Sequence, residues 1–306
     1  MESSASESLT RRRGDASGLA FAGYCVVNSA FVPAVAKLTT AHADGLTIAL
    51  FTSAFAALVC LVFLVAQGKL RLLLRDFRWL VLIGTLGTAV AFLLYYSGAQ
   101  RSTAVETALC VQTEPIYSLI GTRFVLGYPT AKRRIAAVLA IAAGIALAIG
   151  TAPSSPWLGL AFLLATPLAW QTSHWIALKQ LTTFDPLQLS GARYVYGSLA
   201  LAVAWLALDG PAALPPRSDL GSFLPIVALQ GALLSFGGTL AWYAAVKRLD
   251  LPRATAIVVP SAPILSLGVS YLVLGEHVSL RELCGFLLAA AGVLTFALNP
   301  SVTARE

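Results

Sequence analysis

Charge is what this chain lacks most. Only 11% of its 306 residues are Asp, Glu, Lys or Arg, where a soluble domain carries roughly 25%. That scarcity excludes an ordinary soluble globule, because too few charges exist to cover its surface. Catalytic signatures are missing too: no G-x-x-x-x-G-K-[ST], H-E-x-x-H or G-x-S-x-G occurs, which excludes a nucleotide-driven pump and leaves an embedded hydrolase without its parts. The four cysteines, Cys25, Cys60, Cys110 and Cys284, fall in or beside apolar runs without ligand spacing. They read as small hydrophobes rather than as a metal site, and no metal or cofactor is expected.

What is present is apolar sequence in long blocks, 58% hydrophobic residues overall, with a mean hydropathy of +0.78. Runs near the ~20 residues of a membrane helix can be read at 17–38, 46–66, 79–99, 104–126, 135–150, 157–178, 187–208, 220–246, 254–274 and 283–298. The spacing predicts an all-α integral membrane protein of ten spans, with no room for a soluble domain. The net charge of +7 forms no continuous basic stripe, so nucleic acid is not an expected partner; the lipid bilayer is. Fifteen of the 21 Lys and Arg residues fall at the N-terminus or after even-numbered spans, against four on the other side. The positive-inside rule then puts both termini in the cytoplasm, and the expected location is the cell's inner (plasma) membrane.

The chain also repeats itself. Gly18-Leu19-Ala20-Phe21 recurs 141 residues later as Gly159-Leu160-Ala161-Phe162. Tyr96 and Arg101 match Tyr243 and Arg248 at an offset of 147, and Pro115 matches Pro263 at 148. Ala142-Ala143-Gly144 likewise returns as Ala290-Ala291-Gly292, again at 148. The boundaries implied are a disordered cytoplasmic tail (1–17), a first five-helix repeat (18–152), a second (153–299) and a short C-terminal tail (300–306). Five crossings are an odd number, so the second repeat starts on the opposite side and the two are inverted. That architecture places a binding site at the midplane between repeats and suits alternating access.

Together with the Leu274-Gly275-Glu276 turn and the central prolines, these repeated motifs resemble the drug/metabolite transporter superfamily, specifically its EamA-type ten-helix transporters. The resemblance implies a secondary carrier that commonly exports amino acids or related metabolites. Tyr128 where the first half should have its turn Glu, and Thr52 opposite Arg193, depart from that pattern.

Residues that could carry such chemistry follow from their depth. Glu114 lies about ten residues into an apolar run, near the midplane, where an ionisable group is costly and therefore a candidate for function. It could bind a substrate ammonium, carry a coupling proton, or tie two helices together. Asn28, Gln112 and Gln230 are neutral amides well inside spans, able to bind a zwitterion or to bridge helices. His174 lies four residues after Trp170, on the same helix face. Trp170, Tyr95, Tyr96, Trp242 and Tyr243 could line a cavity, or serve as belt or core. The expected partner is a small metabolite, amino acid or similar, with protons if transport is coupled. A multidrug or lipid-precursor carrier, and a non-transporting scaffold or sensor, are the alternatives; the scaffold would have no central cavity.

Overall fold

A computed structural model describes residues 2–125, 127, 129–150, 156–249 and 251–298, without side chains at 2–15, 122, 243, 246, 247, 251–253, 255, 256, 259 and 260. Tyr128, the side chain of Tyr243, residues 151–155 and the C-terminal tail therefore lie outside the described residues. The described chain is helical throughout: α1 (Glu2–Thr39), α2 (Gly45–Ala66), α3 (Phe77–Arg101), α4 (Ala104–Val111), α5 (Glu114–Phe124), α6 (Lys132–Ile149), α7 (Trp157–Gln180) and α8 (Pro186–Leu208). Arg217–Leu229, Gln230–Gly237 and Gly238–Leu249 follow as one helical run, α9, and α10 (Leu251–Leu274) and α11 (Leu280–Ala297) complete the chain. Among the described residues, six segments, in α1, α2, α3, α8, α9 and α11, are long and apolar enough to cross a membrane. The α1 backbone is helical from Glu2, ahead of its apolar part, through the stretch that composition reads as a tail.

Local chemistry explains where helices begin. Asp44 caps α2 by accepting from the amides of Leu46 (2.8 Å) and Thr47 (3.0 Å). Its counterpart 141 residues on, Asp185, caps α8 in a capping box with Gln188. Thr103 with Glu106 opens α4, and Ser279 with Glu282 opens α11, in the same way. Each box satisfies amides that the first helical turn would otherwise leave without an acceptor.

Packing reproduces the sequence repeat in three dimensions. The guanidinium of Arg248 sits 4.7 Å from the ring of Phe21, and that of Arg101 sits 5.8 Å from the ring of Phe162. Arg248 also donates to the Ala244 carbonyl as Arg101 does to that of Ser97. Gly18 is backed against Arg248 and Leu249, Gly159 against Arg101 and Ser102. The two copies of this contact stand at opposite ends of the bundle. Along α1, Gly18 meets the first end; Lys37, about 28 Å further on at the helical rise, donates to the Ala99 and Gln100 carbonyls at the other.

Helices α6 and α11 meet through the repeated small residues. A Cβ on Gly144 would strike the Gly285 carbonyl and the Ala289 amide, each at 2.5 Å, and one on Gly292 would strike the Ala137 carbonyl at 2.7 Å. Because 144 corresponds to 292 and 137 to 285, the interface is nearly self-complementary, as a two-fold contact must be. Without a hydrophobic force between helices in lipid, such close backbone approach supplies the packing. Trp205 of α8 closes the other central pair by donating to Thr47 of α2 at 3.0 Å.

Candidate functional site

Two features of the backbone build the site. The first is the break between α4 and α5 at Gln112 and Thr113, where the amides of both bond back only three residues, to Leu109 and Cys110. The apolar run read as one span is thus two half-helices, and Pro115 explains why: it has no amide to continue the ladder. Glu114 stands in the first turn of α5, where the positive end of the helix dipole favours a carboxylate. Gln171 on α7 donates from Nε2 to Glu114 Oε1 at 2.8 Å.

The second feature is a π turn in each half, Thr85–Val90 in α3 and Gln230–Gly237 in α9. Such turns disturb the regular ladder, so carbonyls there need outside donors. Gly87 and Leu234, equivalent at the 147 offset, show where those donors come from. Arg193 Nη2 on α8 donates to the Gly87 carbonyl at 2.7 Å, and Asn28 Nδ2 on α1 donates to that of Leu234 at 2.9 Å. Each donor comes from the opposite half of the chain. Glycine is required at Gly87, where an added Cβ would run into the Ser173 side chain and lie 3.0 Å from Arg193 Nε.

Between these elements lie two adjoining cavities of about 700 and 420 Å³, which share walls at Ser29, Val32, Tyr95, Glu114, Trp170, Trp242 and Val258. The larger also takes in Gln112, Pro115, Gln171 and Pro263, then runs to Arg134, Phe296 and Ala297. Those last residues mark the end of the bundle where α6 begins and α11 finishes; Arg134 lies 4.6 Å from the Phe296 ring. The smaller holds Asn28, Tyr96, His174, Arg193, Tyr194 and Gln230.

Nine of the ten candidate residues from the sequence, all but Tyr243 with its undescribed side chain, therefore line one or both cavities. Tyr95 and Tyr96 are nearly fully buried rather than placed in an interfacial belt, with their rings 5.3 Å apart and Trp170 6.2 Å from Tyr95. Several polar atoms here have no hydrogen-bond partner among the described residues: Tyr95 Oη, Asn28 Oδ1, Gln230 Nε2 and both amide atoms of Gln112. Buried polar atoms normally find partners, so these mark where a bound molecule could supply them. Gln230 Oε1 is engaged by Thr39 at 3.1 Å, a helix-bridging role.

Sequence reasoning missed Gln171, Arg193 and Arg134 as cavity residues. Gln171 follows Trp170 and lies three residues before His174, so the same helical face could have flagged it. Arg134 reads as a membrane-edge cation, and its place at a cavity mouth depends on α11.

At the opposite end the bundle is stapled. Glu276, in the turn after α10, accepts from the amides of Ala104 (2.9 Å) and Val105 (3.1 Å) at the start of α4. A carboxylate on two helix N-terminal amides is a strong, charge-assisted contact.

The EamA-like transporter family matches residues 16–150 and again 157–298. The chain belongs to that family. Both matched segments coincide with the repeats that the Arg101–Phe162 and Arg248–Phe21 contacts relate, so this EamA-like protein is a membrane transporter of the drug/metabolite type, working on a small molecule. A solved crystal structure shares the fold, with a TM-score of 0.64 and 18% identity over 92% of this chain and 96% of that one. No curated protein matches the chain.

Proposed function

We propose that this transporter exports an amino acid or amino-acid derivative across the inner membrane by alternating access. In this reading ten crossings form two inverted five-helix repeats, 18–152 and 153–299, with both termini in the cytoplasm. The observation that carries it is the position of Glu114: an acid at a broken helix, on the wall shared by both cavities, between the two halves. Discontinuous helices whose ends point into a midplane cavity are how inverted-repeat carriers bind charged groups.

Glu114 would hold the substrate ammonium or exchange it for a proton. Trp170, Tyr95 and Trp242 would cover an apolar or aromatic body, and Asn28, Gln112, His174 and Gln230 would supply polar contacts. With positive loops inside, the Arg134 and Phe296 mouth faces the cytoplasm, while Glu276 and Lys37 hold the far side shut. That is the state expected of an exporter awaiting cargo.

Counterflow in proteoliposomes tests this reading. Vesicles preloaded with one unlabelled amino acid should accumulate the labelled form, most strongly for apolar and aromatic side chains. No exchange across the twenty amino acids, with flux of a lipophilic cation instead, would transfer the assignment to the multidrug alternative. No flux of either kind would leave the scaffold.

A further inference from the structure

Arg193 is a cation in the apolar interior of α8, seven residues past the first residue of that helix and therefore roughly 10 Å in at the helical rise. No carboxylate lies within 4 Å of it among the described residues; the ion pairs found there, Lys69–Asp185 and Arg75–Asp76, both lie elsewhere. Its Nη2 is committed to the Gly87 carbonyl at 2.7 Å, and Nη1 stands 3.5 Å from His174 Nε2. Nε is buried and has no acceptor among the described residues. The side chain nevertheless borders the 420 Å³ cavity, together with Glu114, Trp170 and Trp242.

A charge removed from water without a counter-ion in contact is strongly unfavourable; Glu114, the acid that feels the Arg193 charge, stands on the same cavity wall but beyond contact distance. Proteins tolerate such a charge where a ligand completes the pair, and a guanidinium is the side chain whose donors match a carboxylate. We propose that Arg193 is the carboxylate-binding residue of the central cavity, with Gly87 as its anchor. The Gly87 contact fixes Nη2 and holds Nε packed against the same glycine, which leaves Nη1, beside His174 on the cavity wall, as the donor for a ligand. Because Glu114 lines the same space, a carboxylate monoanion with a positive or neutral remainder fits better than a dianion. The inference rests on the transport cavity described above and assigns the half of a zwitterion that Glu114 cannot take.

The test uses the purified full-length protein in nanodiscs and two probes, 3-phenylpropanoate and 2-phenylethylamine, which separate carboxylate from ammonium on one aromatic body. Equilibrium dialysis should show that Arg193→Gln weakens 3-phenylpropanoate binding by about ten-fold or more, as loss of a charge-assisted contact implies. Binding of 2-phenylethylamine should not change. Arg193→Lys, which keeps charge but not the fork, should fall between. Equal carboxylate binding by wild type and Arg193→Gln, or none by wild type, overturns the assignment.

If Arg193→Gln does not fold, wild-type protein answers alone. Phenylglyoxal modification of Arg193, followed by peptide mass mapping, should slow with 3-phenylpropanoate and not with the amine. An unchanged rate, or an Arg193 that the reagent never reaches, counts against the proposal. Carboxylate binding at Arg193 in a protein that transports no amino acid would leave the anion site standing while the export reading falls.

Discussion

The 2.8 Å bond from Gln171 Nε2 to Glu114 Oε1 joins the two halves of the chain at the acid on the shared cavity wall. Gln171 neutralises nothing; it orients the carboxylate and leaves its charge available. Glu114→Gln retains an oxygen for Gln171 and removes only the charge. Counterflow should then fall about ten-fold or more, the cost of one charge-assisted contact, while folding, followed by size-exclusion profile and melting temperature, stays intact. Unchanged flux would remove Glu114 from the transport step.

Glu276 binds the first turn of α4 from the other half of the chain. Its two amide contacts are worth about 1.5–3 kcal/mol each if they behave as ordinary hydrogen bonds to a charged group. Glu276→Gln should therefore shift the protein toward the state open at that end. A cysteine at Ala108, which lines the larger cavity, should become reactive to a membrane-impermeant thiol reagent from that side. Labelling no faster than in the parent would mean the contact is not a latch.

The α6–α11 interface makes a stability prediction. Gly144→Ala places a methyl group against backbone on the facing helix, where the fold has nothing flexible to move. Overpacking of this kind costs about 1–3 kcal/mol, visible as a lower melting temperature in detergent. Gly268→Ala, with no atom within 4 Å of the new methyl, is the control and should hold or slightly raise it.

At the membrane face, partial burial works to raise the Asp185 pKa, but Lys69 at 2.6 Å and the amides of Gln188 and Leu187 outweigh it and hold the carboxyl below its ordinary range. A depressed pKa means that the folded state gains from ionised Asp185. The gain is present above the usual aspartate value of about 3.9 and lost as pH falls through the folded value. The pair is more than a third exposed at Asp185, so its charge interaction is worth at most about 1 kcal/mol. Melting curves of wild type and Asp185→Asn should differ at pH 7 and draw together as pH falls below about 3.9 and through the lower folded value; a constant gap would show that capping, not charge, is responsible.

The sequence was legible wherever a signal repeated. Each Gly-Leu-Ala-Phe tetrapeptide lies against the arginine of the other half, Gly18 against Arg248 and Gly159 against Arg101, because a duplicated fold reuses its contacts. Depth along an apolar run was enough to find Glu114, Asn28 and Gln112, since polar groups in lipid have few places to go. Arg193 escaped as a site because one basic residue in a span reads as a helix tie until Gly87 and the cavity are located. The π turns were illegible for a different reason: they change one hydrogen-bond step without changing the hydrophobic period. The α4–α5 break was half visible, with Pro115 in the sequence but the double turn at Gln112 and Thr113 only in the structure.

Ser29 borders both cavities, which makes it the most direct reporter of whether one site opens to two sides. In a cysteine-free background, Ser29→Cys would be titrated with an impermeant maleimide from each face of oriented vesicles, with and without a transported amino acid. The account predicts labelling from the Arg134 side at rest and a shift toward the Glu276 side during transport. Labelling from one face only, under every condition that supports flux, would contradict it.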